Sequence, residues 1–108
     1  MSGKREPDSS PGADEINVRH EASAKRFAVR LDNKIGYLSY EQPEEGVLDY
    51  AHVYVPPAYR ERGIAAEITR TALDYARREG YSVIPSCPYV EHFLGEHPEY
   101  EDVVNRRP

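Results

Sequence analysis

Val53-Tyr54-Val55-Pro56-Pro57-Ala58-Tyr59-Arg60-Glu61-Arg62-Gly63-Ile64-Ala65 decides the fold. It reads as the end of a strand, a tight turn and the first turn of a helix. Pro56-Pro57 stops the strand, because proline donates no hydrogen bond to a ladder. Arg60 and Arg62 then stand where a helix should begin. A helix N-terminus already carries partial positive charge and leaves its first N–H groups unpaired. Arginines there are electrostatically unfavourable unless an anion joins them, and such an end is suited to hold one. Gly63 has no Cβ, so a phosphate can approach the backbone closely, and successive N–H groups at the helix start could hold a diphosphate. The alternative is an ordinary surface turn with solvated arginines. A lone glycine at a helix start does not decide between them.

Working outward, the helix runs from about Arg62 or Gly63 to Glu79. Ile64, Ala65, Ile68, Ala72, Tyr75 and Ala76 recur at helical spacing as one apolar stripe. Gly80 suits a left-handed C-terminal cap, and Arg77 and Arg78 complement the negative helix end. The helix thus obeys dipole rules at its end and breaks them at its start. Before it, Val47 to Val55 is the longest strand candidate. Val47, Asp49, Ala51, Val53 and Val55 share one face; Leu48, Tyr50, His52 and Tyr54 share the other. Upstream, alternation predicts strands at Ile16–His20, Phe27–Leu31 and Ile35–Tyr40. Turns fall at Glu21-Ala22-Ser23-Ala24, at Asp32-Asn33-Lys34 and at Gln42-Pro43-Glu44-Glu45-Gly46. Downstream, Tyr81–Ile84 is a short buried strand stopped by Pro85. A helix begins at Pro88, with Ser86 or Cys87 capping it, and ends at Gly95. His97-Pro98-Glu99-Tyr100 opens one more helical turn.

The order β-β-β-β-α-β-α makes this an α/β (α+β) chain. It predicts a mixed, mainly antiparallel sheet of about five strands, with a central crossover helix and short C-terminal helices. With 108 residues it holds one domain. We place that domain at residues 14–104, after a disordered polar tail at 1–13 and before a loose C-terminus at 105–108.

Charged residues make up 31% of the chain and the formal net charge is -5. That balance argues against non-specific nucleic-acid binding, which needs a broad basic face. Cys87 is the only cysteine, so no intramolecular disulfide forms, and a lone thiol fits a reducing compartment. No stretch approaches the about 20 apolar residues of a membrane span, and the first residues carry no apolar run of a signal peptide. These features predict a soluble, cytoplasmic protein without nucleic-acid or membrane partners. The histidines have no metal-ligand spacing with Cys87, so no metal site is expected.

Arg60-x-x-Gly63-x-Ala65 after a strand resembles the acyl-CoA signature of the GNAT N-acetyltransferases. Three segments, Val55-Pro56-Pro57-Ala58-Tyr59-Arg60 through Ile64-Ala65, Ile84-Pro85-Ser86-Cys87-Pro88-Tyr89-Val90 and His97-Pro98-Glu99-Tyr100, are similar to the small YjdJ-type domains of that superfamily. The resemblance spans about Phe27 to Val104, and three motifs in order are more specific than the six-residue signature. It implies acetyl-CoA as cosubstrate, with its pyrophosphate on the backbone of Glu61, Arg62, Gly63, Ile64 and Ala65 beside Arg60. It implies that strands four and five splay apart and that pantetheine pairs with strand four near Val53 and Val55. The N-terminal helices that form the acceptor side of a full-length GNAT have no counterpart. This implies an acceptor site that is shorter, more open or completed by a partner.

Two side chains are candidates for chemistry there. Cys87 lies just after strand five at a helix N-terminus, where thiolate is favoured. It takes the acetyl group as a thioester, lines the acyl pocket, or simply fills space as buried cysteines do. His52 lies close to the expected thioester and acts as general base or orients Cys87, unless it is an ordinary half-exposed strand histidine. Larger GNATs use a tyrosine on the following helix to protonate the departing thiolate. That position falls here near Phe93 or Leu94, and Tyr89 is a nearby substitute. The leading reading is acetyl transfer to an unknown amine, small molecule or protein, by a monomer or weak homodimer. Asp49, Glu91 and Glu96 suit a cationic acceptor. The contrasting reading is a non-catalytic acyl-CoA-binding or protein-interaction module. A cysteine hydrolase using Cys87 has no nucleophile motif behind it.

Overall fold

The computed structural model describes residues 16–105. The tail expected at 1–13 lies outside the described residues, as do 106–108. Five strands form one sheet in the order β1-β2-β3-β4-β5. They are β1 (Val18–Glu21), β2 (Arg26–Leu31), β3 (Lys34–Glu44), β4 (Val47–Tyr54) and β5 (Ser82–Ile84). The first four make an antiparallel meander and β5 joins β4 in parallel. The parallel step needs a crossover, supplied by α1 (Ile64–Glu79). α2 (Pro88–Glu96) and a 3-10 segment, Pro98–Val103, complete the described chain. This is the mixed sheet with crossover helix that the residue pattern predicts.

α1 lies across one face of the sheet and touches all five strands. Its stripe of Ile64, Ile68, Ala72 and Ala76 is buried with Phe27 and Val29 of β2, Leu38 and Tyr40 of β3, and Leu48 and Tyr50 of β4. Burying a side chain such as Leu38 or Ile68 contributes about 1.5–3 kcal/mol, so this layer holds the domain together. The Tyr50 hydroxyl donates to the Ala72 carbonyl at 2.6 Å and fastens helix to sheet.

The structure corrects three local expectations. First, β4 does not alternate regularly. Ser39 pairs with His52 and Tyr40 with Tyr50, so Ala51 is an extra residue, a β-bulge. The bulge flips the phase of the strand. Tyr50 turns into the core while His52 and Tyr54 stay exposed, so the expected shared face of Tyr50, His52 and Tyr54 does not exist. Second, β3 continues through Gln42 and Pro43, and the hairpin closes over Glu45-Gly46. A second irregularity between Glu41 and Glu44 absorbs the proline. Third, Gly95 lies inside α2, which runs to Glu96. Glycine only weakens a helix; the stop comes from Pro98, which forces His97 out of helical geometry (φ -135, ψ 72). Asn105, placed by the sequence reading in the loose C-terminus, donates its N–H to Val83 O at 2.7 Å.

Candidate functional site

β4 and β5 part company early. They pair only at Val47 with Ser82, Leu48 with Val83 and Asp49 with Ile84. One more bond follows, from Cys87 N–H to Tyr50 O at 3.0 Å. Pro85 has no N–H to continue the ladder, and the Ser86 N–H folds back onto Ile84 O at 3.0 Å in a tight turn. On the other strand the bulge at Ala51 bends β4 at the same level. The last residues of β4 keep their β3 partners, as Leu38 with Val53 and Tyr37 with Tyr54. Among the described residues no strand lies on their other side.

A cavity of about 350 Å³ opens beside this free edge. Val53, Tyr54 and Val55 form one wall; Tyr59, Arg60, Glu61 and Gly63 the mouth; Ile64, Ala65 and Ala66 of α1 the floor; and Tyr89 of α2 the far side. Gly63 stands at the helix N-cap with φ 79, and no side chain caps the end. The first bond closing the helix runs from Glu67 N–H to Gly63 O at 3.0 Å. Ile64, Ala65 and Ala66 therefore present N–H groups without an intrahelical acceptor. Glu61 also adopts the left-handed region, at φ 66, which costs a non-glycine residue about 1–2 kcal/mol. Left-handed residues in such a loop are the ingredients of concave N–H nests that hold anions. A Cβ at Gly63 would meet nothing within 4 Å, so the space over the helix end is open. Arg60 is held in place by its Nε, which donates to Val55 O at 2.7 Å.

The structure thus brings Val53, Val55, Arg60, Glu61, Gly63, Ile64 and Ala65 to one cavity. Arg62 is beside it rather than in its lining, with its guanidinium carbon 5.2 Å from the centre of the Tyr59 ring. The Tyr59 hydroxyl donates to the Asp32 carboxylate, which fixes that ring and raises its phenol pKa. The two candidates for chemistry are placed elsewhere. Cys87 is buried, packed into the core cluster, and does not line the cavity. His52 is exposed on the sheet face away from α1, its ring 6.0 Å from Tyr37. Phe93 and Leu94 are buried. Tyr89, the nearby substitute for Phe93 or Leu94, lines the cavity. Burial first, and Glu96 second, push its phenol pKa above the ordinary value, so it holds its proton at neutral pH. Its signal was its position one residue after the proline that opens α2, submerged among nine tyrosines.

Among the described residues, no group of three His, Cys, Asp or Glu side chains is arranged to hold a metal ion. No helix among them is long and apolar enough to cross a membrane.

Residues 26–103 match the family described as GCN5-related N-acetyl-transferase. Protein NATD1 of Bos taurus is 37% identical over 95 residues, covering 82% of this chain and 84% of that protein. Protein NATD1 of Homo sapiens is 34% identical over 85 residues, covering 77% and 75%. A GCN5-like protein of Staphylococcus aureus, solved in solution by NMR, shares the fold with a TM-score of 0.64. That likeness covers 86% of this chain and 91% of that one at 16% identity. The splayed strands, the uncapped helix start and the sequence relatives agree, and the chain belongs to the GCN5-related N-acetyltransferase family.

Proposed function

We propose that this protein is an acetyl-CoA-dependent N-acetyltransferase that moves an acetyl group to an amine. One observation carries the reading: the gap beside β4 opens directly onto the uncapped N-terminus of α1. The pyrophosphate sits on the N–H groups of Ile64, Ala65 and Ala66 and the loop Glu61–Gly63, with Arg60 and Arg62 supplying positive charge. The pantetheine amides pair with the unpartnered β4 edge near Val53 and Val55, as a strand adds to a sheet. The domain itself comprises residues 14–104.

In this reading a neutral amine attacks the thioester carbonyl carbon, forming the C–N bond. A backbone N–H of the free β4 edge stabilises the oxyanion that develops. Collapse of the intermediate breaks the C–S bond. The departing CoA thiolate takes the proton of the Tyr89 phenol, and the nitrogen returns a proton to the Tyr89 phenolate, leaving amide and CoA thiol. Cys87 and His52, both outside the cavity, take no step.

The buried Phe93 and Leu94, where larger relatives place a proton donor, favour a second reading as an acyl-CoA-binding module. Incubation with acetyl-CoA and a panel of primary alkyl amines and peptide N-termini separates the two. The enzyme reading predicts CoA thiol released only when amine is present, and no acetyl adduct at Cys87 by mass spectrometry. Binding of acetyl-CoA without release under any amine supports the module.

A further inference from the structure

We infer that the recess beside Lys34 receives the 3′-phosphoadenosine end of CoA, so that this protein selects ligands carrying the 3′-phosphate. The inference rests on the acetyl-CoA reading above. The recess, about 420 Å³, is lined by Lys34, Ile35, Tyr54, Pro56, Pro57 and Ala58. Tyr54 also lines the cavity at the start of α1. The Arg60 guanidinium carbon lies 5.8 Å from the centre of its ring. Tyr54 is thus a common wall, with the anion cradle on one side and the recess on the other. Tyr59 couples the two places as well. It lines the cradle, and its hydroxyl holds Asp32 in the β2–β3 turn, two residues before Lys34.

Charge and shape then point to one kind of ligand. The chain has a net charge of -5, yet Lys34, Arg60 and Arg62 have no ion pair among the described residues. A diphosphate is already met by Arg60, Arg62 and the helix N–H groups. Lys34 is a third cation without an ion pair among the described residues, set apart from them across Tyr54. Between them lie the two large apolar side chains most exposed in the described chain, Ile35 at 41% and Tyr54 at 36%. A free inorganic phosphate has no use for that surface. A purine does, because a base stacks on an aromatic face. A flat apolar shelf with one cation at its rim, continuous with a diphosphate cradle, matches a nucleoside that bears a separate phosphate.

Calorimetric titration of the full chain with CoA and with 3′-dephospho-CoA tests this. The wild type should bind CoA about tenfold more tightly, the worth of one charge-assisted contact. Lys34→Ala should lower CoA affinity to the level of 3′-dephospho-CoA and leave the latter unchanged, and Lys34→Arg should restore the preference. Lys25→Ala, which removes a lysine outside the recess, should preserve it. Equal binding of both ligands by the wild type, or equal weakening of both by Lys34→Ala, overturns the inference while leaving the acetyl-CoA reading in place. Failure of both ligands to bind the wild type overturns that reading first and the inference with it.

Discussion

The two ends of α1 follow opposite rules. At the C-terminus the last carbonyls are taken: Gly80 N–H reaches Arg77 O at 3.3 Å and Tyr81 N–H reaches Ala76 O at 2.8 Å. This is the paired bonding of a glycine-terminated helix. Arg77 bonds Asp102 and the Glu99 carbonyl, and Tyr100 donates to Asp74 at 2.7 Å, tying the C-terminal segment to the helix. At the N-terminus nothing caps the helix, and arginines stand on the end that repels them. Glu61 adds backbone strain. A domain of this size has little stability to spare. In the proposed reading, an end left unsatisfied and over-supplied with cations is where a ligand completes the helix, and the satisfied end is structure alone.

The strongest way to break this contrast is Gly63→Glu. A Cβ there meets nothing within 4 Å. The left-handed backbone adds about 1–2 kcal/mol of strain. The new carboxylate opposes the pyrophosphate, so acetyl-CoA affinity should fall by about a hundredfold or more. The rise in Tm on adding acetyl-CoA should disappear. An unchanged rise would remove the anion from this end of the helix.

Tyr89→Phe probes the far wall of the same cavity. It should lower kcat by about a hundredfold and leave acetyl-CoA affinity near that of the wild type, read by steady-state kinetics beside calorimetry. A change in affinity without a change in kcat would make Tyr89 a packing residue.

Gly80→Ala is the matching change at the satisfied end. Its Cβ also meets nothing within 4 Å, and its φ of 81 carries the same backbone strain. The cost should be about 1–2 kcal/mol, lowering Tm by roughly 4–8 °C per kcal/mol for a domain of this size. Its response to acetyl-CoA should be intact. If instead this variant loses binding while Gly63→Glu keeps it, the roles assigned to the two ends are reversed.

A smaller effect should appear in acid, through the aromatic cluster under the C-terminal half of α1. The His20 ring stacks on Phe27 at 4.3 Å, meets Tyr75 of α1 edge-on at 4.5 Å and shares a 2.6 Å hydrogen bond with the Tyr40 hydroxyl. Burial lowers its pKa from the ordinary value. The unfolded chain therefore binds a proton more readily than the folded one. Stability from this site is complete above about pH 6.5 and is lost as pH falls from there through the folded value. Thermal melts should show this slope, and His20→Gln should flatten it.

β2, the start of β3 and α1 are legible in the sequence because their apolar periods are unbroken and the Asp32-Asn33 turn and the Gly80 cap are unambiguous. The uncapped helix start is legible because Arg60 and Arg62 contradict the helix dipole beside Gly63. The bulge at Ala51 is not, because an inserted residue leaves no mark when apolar and aromatic residues line both faces of the strand. The reading of His52 rested on regular alternation and moves with it. Cys87 occupies the helix start where the sequence puts it, but whether a thiol there is exposed or packed depends on tertiary burial. Gly95 misleads because a helix tolerates one glycine and proline three residues later does the stopping.

The central claim is tested most directly by following backbone amides by NMR during titration with acetyl-CoA. The largest shifts should fall on Gly63, Ile64, Ala65 and Ala66 and along Val53 to Val55, while Gly80 and Tyr81 stay still. Shifts centred elsewhere, or an N-terminus of α1 that does not respond, would contradict it.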